Sequence, residues 1–355
     1  MQVSGNEREP EPAKRRILCI DGGGILGTFP ASLLTSLEQH LDHPIGSYFD
    51  LIAGTSTGGI LALGLGVNRP GGQAPYTAAE LIDLYQKEGE HIFSRSFFHT
   101  VGAVGNLNGP KYPEDGVDAT LQNYFRDGRL KDARTNVLVT AYEIERRCPF
   151  FFRSWQAQAA ETNRTHDFAV WQVARSTSAA PTYFPPQRAE AADGTSYALI
   201  DGGVYANNPA LCAWVEAHDR HPEADILVVS VGTGNEQRPV RFDDARNWGV
   251  VGWAPRLIDI IFDGVSDTVE VELEEMLNTR GAHNHYRFQS KIDDAQQDLD
   301  NTDPGNLAAL KKVGEGLAEG NDFAEVRARL RTVLAERTAQ SQPVPLPPVE
   351  KRMFA

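Results

Sequence analysis

Short, uniformly apolar runs alternate along this chain with longer segments whose apolar residues recur at helical spacing. Arg16-Ile17-Leu18-Cys19-Ile20 reads as a strand buried on both faces, and Leu33, Leu34, Leu37 and Leu41 as the inward stripe of the helix after it. The run Phe49-Asp50-Leu51-Ile52-Ala53 predicts a second strand, and Gly59-Ile60-Leu61-Ala62-Leu63 a helix close behind. Thr77 stands as N-cap for a helix carrying Leu81, Ile82, Leu84 and Tyr85, with Glu80 at the capping-box position. Further strands are predicted over residues 137–144, 150–155, 197–200 and 226–231, and helices over 169–179 and 210–218. Leu257, Ile258, Ile261, Phe262, Val265 and Val269 give residues 255–278 a helical stripe, and 306–338 reads as one or two polar, amphipathic helices.

Strands alternating with helices predict an α/β fold with a largely parallel central sheet. The expected division is a disordered N-terminus over 1–14, a catalytic-type α/β body over 15–290, C-terminal helices packed on it over 291–339, and an extended Pro-rich tail over 340–355. Residues 93–113 are irregular and rich in Gly, Asn and aromatics, and no internal repeat is visible.

Composition narrows the partners. Of 355 residues, 41% are hydrophobic and 23% charged, enough to fill a large core. A formal net charge of −14 leaves no basic excess to neutralise phosphates, so DNA and RNA are not expected, nor simple attraction to an anionic membrane. Cys19, Cys148 and Cys212 are sparse, odd in number and without CxxC spacing, which suits a reducing compartment. The first residues form no apolar signal region, and no run approaches the ~20 apolar residues of a membrane span. A soluble, cytoplasmic protein is expected, whose membrane contact would be apolar, local or regulated.

Chemistry enters with Gly54-Thr55-Ser56-Thr57-Gly58, a G-x-S-x-G pentapeptide between a predicted strand and a predicted helix. That setting is a nucleophile elbow: Ser56 sits on a sharp turn, and Gly54 and Gly58 leave room for the neighbouring strand and helix. It points to a serine hydrolase. Upstream, Asp21-Gly22-Gly23-Gly24-Ile25-Leu26-Gly27 directly follows a strand. Successive glycine amides there can converge into an anion-binding nest, which in an acyl hydrolase is an oxyanion hole. Gly22, Gly24 and Gly27 also match G-x-G-x-x-G, a weak dinucleotide signal with Glu38, Asp42 or Asp50 as loose partners for a ribose. A third motif, Asp201-Gly202-Gly203, leaves the end of a strand, where α/β sheets place their sites; its bland alternative is an Asx turn into the next helix.

Together the three motifs resemble the patatin-like phospholipase family, whose pattern is DGGGxRG, GxSxG and DGG or DGA. The likeness spans about residues 15 to 235 and includes Ser178-Ala179-Ala180-Pro181-Thr182-Tyr183-Phe184-Pro185-Pro186 and Ser230-Val231-Gly232-Thr233-Gly234. Leu26 departs from it, standing where the family carries Arg or Lys. The resemblance implies a three-layer α/β/α fold with a C-terminal helical extension. It implies a Ser–Asp dyad of Ser56 as nucleophile and Asp201 as base, with the Gly22, Gly23 and Gly24 amides as oxyanion hole. Asp21, Gly27, Gly202 and Gly203 would support it, and neither a metal nor a catalytic cofactor is required. A triad using His218, His221, His283 or His285 stays open. Glycerophospholipid acyl esters are the implied substrate. Phe93, Phe97, Phe98 and His99, or Phe150, Phe151 and Phe152, would be the apolar approach, the latter reading better as ordinary core.

The segments around Asp21 and Ser56 are most similar to bacterial effector phospholipases of cyclic-oligonucleotide (CBASS) antiphage signalling. That likeness implies a cyclic dinucleotide activator, a change of homo-oligomeric state and action at the periphery of the inner membrane. Arg146, Arg147, Arg153, Arg238, Arg241 and Arg246 are candidate phosphate partners, each read more readily as an ordinary surface charge. An unregulated housekeeping acyl hydrolase is the main alternative, and a non-enzymatic nucleotide-binding module a distant one.

Overall fold

The computed structural model describes residues 13–92, 110–159, 166–234, 239–278, 283–292 and 299–334. Within them, strands β1 (Lys14–Ile20), β2 (Leu51–Gly54), β3 (Asn136–Glu143), β4 (Cys148–Arg153), β5 (Gln187–Glu190), β6 (Ser196–Asp201), β7 (Asp225–Val231) and β8 (His285–Phe288) form one sheet. The helices are α1 (Thr28–Glu38), α2 (Thr57–Gly66), α3 (Ala78–Ile92), α4 (Glu114–Phe125), α5 (Ser154–Ala159), α6 (Val170–Thr177), α7 (Gly203–Ala206), α8 (Ala210–Arg220), α9 (Phe242–Ala245), α10 (Val250–Leu277), α11 (Pro304–Leu317) and α12 (Asn321–Arg331).

Strands β3, β2, β1, β7 and β8 run parallel in that order, and β4, β5 and β6 are antiparallel additions on the β3 side. Alternation along each strand divides the core between two faces. Leu18, Ile20, Ile52, Val137 and Val139 join the larger apolar cluster with α1, α2 and α3. Ile17, Cys19, Leu51, Ala53 and Leu138 join the smaller one, with Ala210, Ala213 and Ala217 of α8 and Val269 and Leu273 of α10. The result is helix, sheet and helix in three layers. The C-terminal helices belong to the larger core: Leu310, Phe323, Val326 and Leu330 are buried in it, and Ser32 of α1 donates to the Lys311 carbonyl.

The register of β3 decides where the site lies. A strand has two hydrogen-bonding edges, yet β3 pairs with three strands. β4 occupies one edge from Leu138 to Glu143. The other is shared: β2 pairs from Asn136 to Val139, and β6 from Ala141 to Glu143. β2 ends with Gly54 opposite Val139, and β6, running the other way, ends with Asp201 opposite Ala141. The two strands therefore meet end to end along β3, bringing the residues just beyond Gly54 against Asp201.

Some elements differ from expectation. β5 and β8 were not predicted, nor were α4, α5, α7 and α9. The helix predicted from residue 255 begins at Val250 and runs through Pro255, which gives up one i→i−4 hydrogen bond just past the first turn. The capping box forms as read, with the Thr77 amide donating to Glu80 Oε2 (2.8 Å) and the Glu80 amide to Thr77 Oγ1 (3.2 Å). Phe150–Phe152 lie in β4, with Phe152 buried and Phe150 and Phe151 packed against the two cores. Phe93, Phe97, Phe98, His99 and Arg238 lie outside the described residues.

Candidate active site

Ser56 is the second of the two residues between β2 and α2, with φ 54° and ψ −123°. For a non-glycine residue this is strained backbone, held by its surroundings. Two close approaches hold it: a Cβ on Gly54 would run into the Gly58 carbonyl, and one on Gly58 into the Ile20 and Asp21 carbonyls of the neighbouring strand end. Polar bonds complete the clamp. The Ser56 amide donates to Thr177 Oγ1 (2.8 Å), which in turn donates to the Thr140 carbonyl (2.7 Å). The Thr55 hydroxyl lies 2.7 Å from that of Thr140 and donates to the Ala206 carbonyl. α2 is buried along its whole length, so Ser56, 7% exposed, stands on a rigid support.

Asp201 is fully buried. Its Oδ1 accepts from the Gly203 amide (2.8 Å), closing an Asx-type turn, while Oδ2 has no hydrogen-bond partner among the described residues. Burial drives its pKa from the ordinary carboxylate range up to about 7, against the lowering effects of the Gly203 amide and the Ser56 hydroxyl. The Ser56 hydroxyl is the side chain that interacts with this carboxylate, and in a substrate-free site such a contact is commonly longer than a full hydrogen bond. Gly202 packs against Thr140, and Gly203 under the Phe262 ring.

The glycine loop lies across from them. The Gly22 amide donates to the Asn207 carbonyl (3.1 Å), which corrects the expectation of three converging donors: Gly22 is committed to the fold. The amides of Gly23 and Gly24 have no backbone acceptor among the described residues, and both glycines line the pocket with Ser56 and Asp201. Gly24 adopts φ 56°, which favours glycine. The Thr57 amide, in the open first turn of α2, supplies a further donor, and the helix N-terminus favours negative charge there. Gly27 lets Thr57 and Tyr85 approach the loop, their hydroxyls 2.5 Å apart.

Asp21 takes no part in the pocket around Ser56. Buried, it receives both terminal nitrogens of Arg287 (3.1 and 2.6 Å), and Arg287 also donates to Ser230 Oγ (2.8 Å). Desolvation raises the Asp21 pKa while the guanidinium holds it down. Arg287 on β8 was missed at the sequence level, where nothing but an isolated arginine in a short aromatic run marks it.

Ile25, Ile60, Leu84, Ile92, Val117, Leu121, Tyr183, Phe184 and Phe262 line the rest of the pocket, and no histidine is among its described lining residues. His218 and His221 lie at the end of α8, and His285 faces Glu270 and Glu274 of α10, so the described geometry assembles no triad. The pocket's interior is about 60 Å³. Of the candidate phosphate ligands, Arg153 is bound to Glu216 and stacked on Phe151, and Arg146 stacks on Tyr197.

The chain is similar in sequence to known proteins. A patatin-like protein 2 from Arabidopsis thaliana is 32% identical over 338 residues, covering 85% of this chain and 82% of that one. A patatin-like protein 2 from Oryza sativa subsp. indica is 30% identical over 351 residues, covering 88% and 86%. The solved structure of VipD from Legionella pneumophila aligns at 13% identity and a TM-score of 0.39, over 86% of this chain and 67% of that one. Residues 18–214 match the family described as Patatin-like phospholipase, and the chain belongs to that family.

Proposed function

We propose that this protein hydrolyses acyl esters of membrane glycerophospholipids with a dyad of Ser56 and Asp201. The observation that carries the reading is the end-to-end meeting of β2 and β6, which sets a strained serine against a buried carboxylate whose pKa is raised to about 7. An ordinary aspartate is a weak base for a hydroxyl; one with a pKa near neutrality is far better matched to the task. Asp201 takes the Ser56 proton as Oγ attacks the ester carbonyl, and the Gly23, Gly24 and Thr57 amides receive the charge forming on oxygen. Collapse expels the alcohol, which leaves with the proton from Asp201. Water, deprotonated by the same carboxylate, then releases the fatty acid from Ser56.

The apolar pocket lining suits an acyl chain. The first half of α10 supports a bilayer as the source. Val250, Trp253, Leu257, Ile260 and Ile261 form an exposed apolar stripe on the helix that also sends Phe262 into the pocket. Residues 250–262 contain two charged residues, Arg256 and Asp259, in a chain of net charge −14, so this face approaches a membrane through apolar contact. Activation by a cyclic dinucleotide, with a change of oligomeric state in antiphage defence, rests on the sequence resemblance and belongs to the same proposal.

The test is fatty-acid release from mixed phospholipid vesicles, with and without a panel of cyclic dinucleotides, beside Ser56→Ala and Asp201→Ala. Release lost in both variants supports the dyad. Dependence on one nucleotide supports gated activation, whereas full release without any makes the protein an unregulated acyl hydrolase. Absence of release under every condition overturns the phospholipid assignment.

A further inference from the structure

Away from the acyl pocket, on the far side of the Asp21–Arg287 pair, β8 and α10 enclose a group of side chains that the dyad does not use. Glu270 and Glu274 stand one helical turn apart on α10, on the same face. His285 of β8 is aimed between them: its Nδ1 lies 3.7 Å from Glu270 Oε1 and 3.8 Å from Glu274 Oε2. These separations are too long for hydrogen bonds. The His285 side chain is fully buried, and neither ring nitrogen has a hydrogen-bond partner among the described residues. Leaving a buried imidazole without partners is costly, and two carboxylates face it without satisfying it.

The spacing fits ligands around an ion. A cation with bonds of about 2.1 Å touches two donors up to roughly 4.2 Å apart. Both imidazole–carboxylate separations fall inside that limit; the three ligand atoms lie within 4.8 Å of one another, so the exposed Glu274 side chain closes in for all three to bind one ion. We propose that Glu270, Glu274 and His285 form a binding site for a first-row divalent cation such as Zn²⁺ or Mn²⁺. Imidazole beside two carboxylates suits these ions better than Ca²⁺, which takes six to eight oxygens. Two carboxylates match the ion's charge, and the Glu274 side chain, 61% exposed, opens the way in from solvent.

The site is joined to the glycine loop through one residue. Glu270 Oε2 lies 3.3 Å from Arg287 Nε, and Arg287 holds Asp21 with its other nitrogens. A cation that draws Glu270 toward His285 leaves Arg287 to Asp21 and Ser230, so its effect is on how firmly the Asp21–Gly24 loop is anchored rather than on the chemistry at Ser56. This inference does not depend on the substrate proposed above.

The full-length protein, stripped with chelator, is titrated with Zn²⁺, Mn²⁺ and Ca²⁺ by calorimetry, and with Co²⁺ by visible absorption. Expected are one saturable site for Zn²⁺ and Mn²⁺, a ligand-field band with Co²⁺, weaker Ca²⁺ binding, and a melting temperature that rises with Zn²⁺. Glu274→Gln, a change at an exposed side chain, and His285→Ala should each weaken binding by more than the roughly 10- to 100-fold cost of losing an outer-sphere partner. Absence of saturable binding to the unaltered protein overturns the proposal. So does a site whose affinity Glu274→Gln leaves intact, since the ion then lies elsewhere. Should His285→Ala fail to fold, Glu274→Gln alone decides.

Discussion

At Asp201 one physical cause has opposite consequences for rate and for stability. Burial lifts its pKa to about 7, so the carboxyl proposed as base is protonated below that pH in the free protein. With a soluble ester, kcat/KM should fall about tenfold per pH unit below pH 7 and level off above it. For stability, the folded carboxyl holds a proton that the unfolded one has lost between pH ~4 and ~7. Stability contributed by the neutral form is therefore present below pH ~4 and lost as pH rises through 7. Asp201→Asn should abolish activity yet raise the melting temperature at pH 8, by up to about 4 kcal/mol in unfolding free energy, with no gain at pH 4. Thermal scans at the two pH values check it, and equal effects at both would refute the buried-charge account. Ser56 and Asp201 were legible because a strand–turn–helix glycine pattern and an aspartate closing a strand leave local marks. Commitment of the Gly22 amide to Asn207 was not, because that bond depends on a residue far along the chain. Nor was Arg287, whose significance is a contact with Asp21 across two strands.

Among the elements, α6 matters for its last residue. Thr177 ties the strained Ser56 amide to the Thr140 carbonyl of β3 through a single hydroxyl. Thr177→Val keeps the shape, leaves a buried N–H unpaired, and should cost about 1–3 kcal/mol in stability, with a fall in kcat as the elbow relaxes; Thr177→Ser should restore both. Urea melts and ester hydrolysis measure the pair, and a Val variant as stable and active as the parent would remove Thr177 from the clamp. The strands buried on both faces, β1 and β7, could be read from their apolar runs. β5 could not: Gln187-Arg188-Ala189-Glu190 buries Ala189 deeply and leaves Arg188 and Glu190 outside, so an edge strand resembles a loop. Likewise α4 hides behind Gly116 and a polar surface, with Val117, Leu121 and Phe125 as its inward side. The shared edge of β3, the arrangement that makes the site, is a property of pairing between distant segments that no local pattern carries.

Over the whole molecule, α10 links surface and site: its outward stripe ends where Phe262 turns inward onto Gly203. Replacing Trp253 or Leu257 by Asp removes roughly 1.5–3 kcal/mol of apolar contact, and the ratio of vesicle to soluble-ester activity should fall about tenfold or more. Co-sedimentation with vesicles reads the same loss directly; an unaltered ratio would detach this face from the membrane. The meeting of β2 and β6 on one edge of β3 bears on how the chain is made. The strand, turn and helix of the elbow are made early, but the Thr140 and Thr177 contacts that clamp it, and Asp201, the base proposed above, arrive only with β3, α6 and β6, after much more of the chain has left the ribosome. A nascent or truncated chain ending before Asp201 carries Ser56 without the proton acceptor proposed for it. On the proposed dyad, activity is armed only by the closing of the sheet.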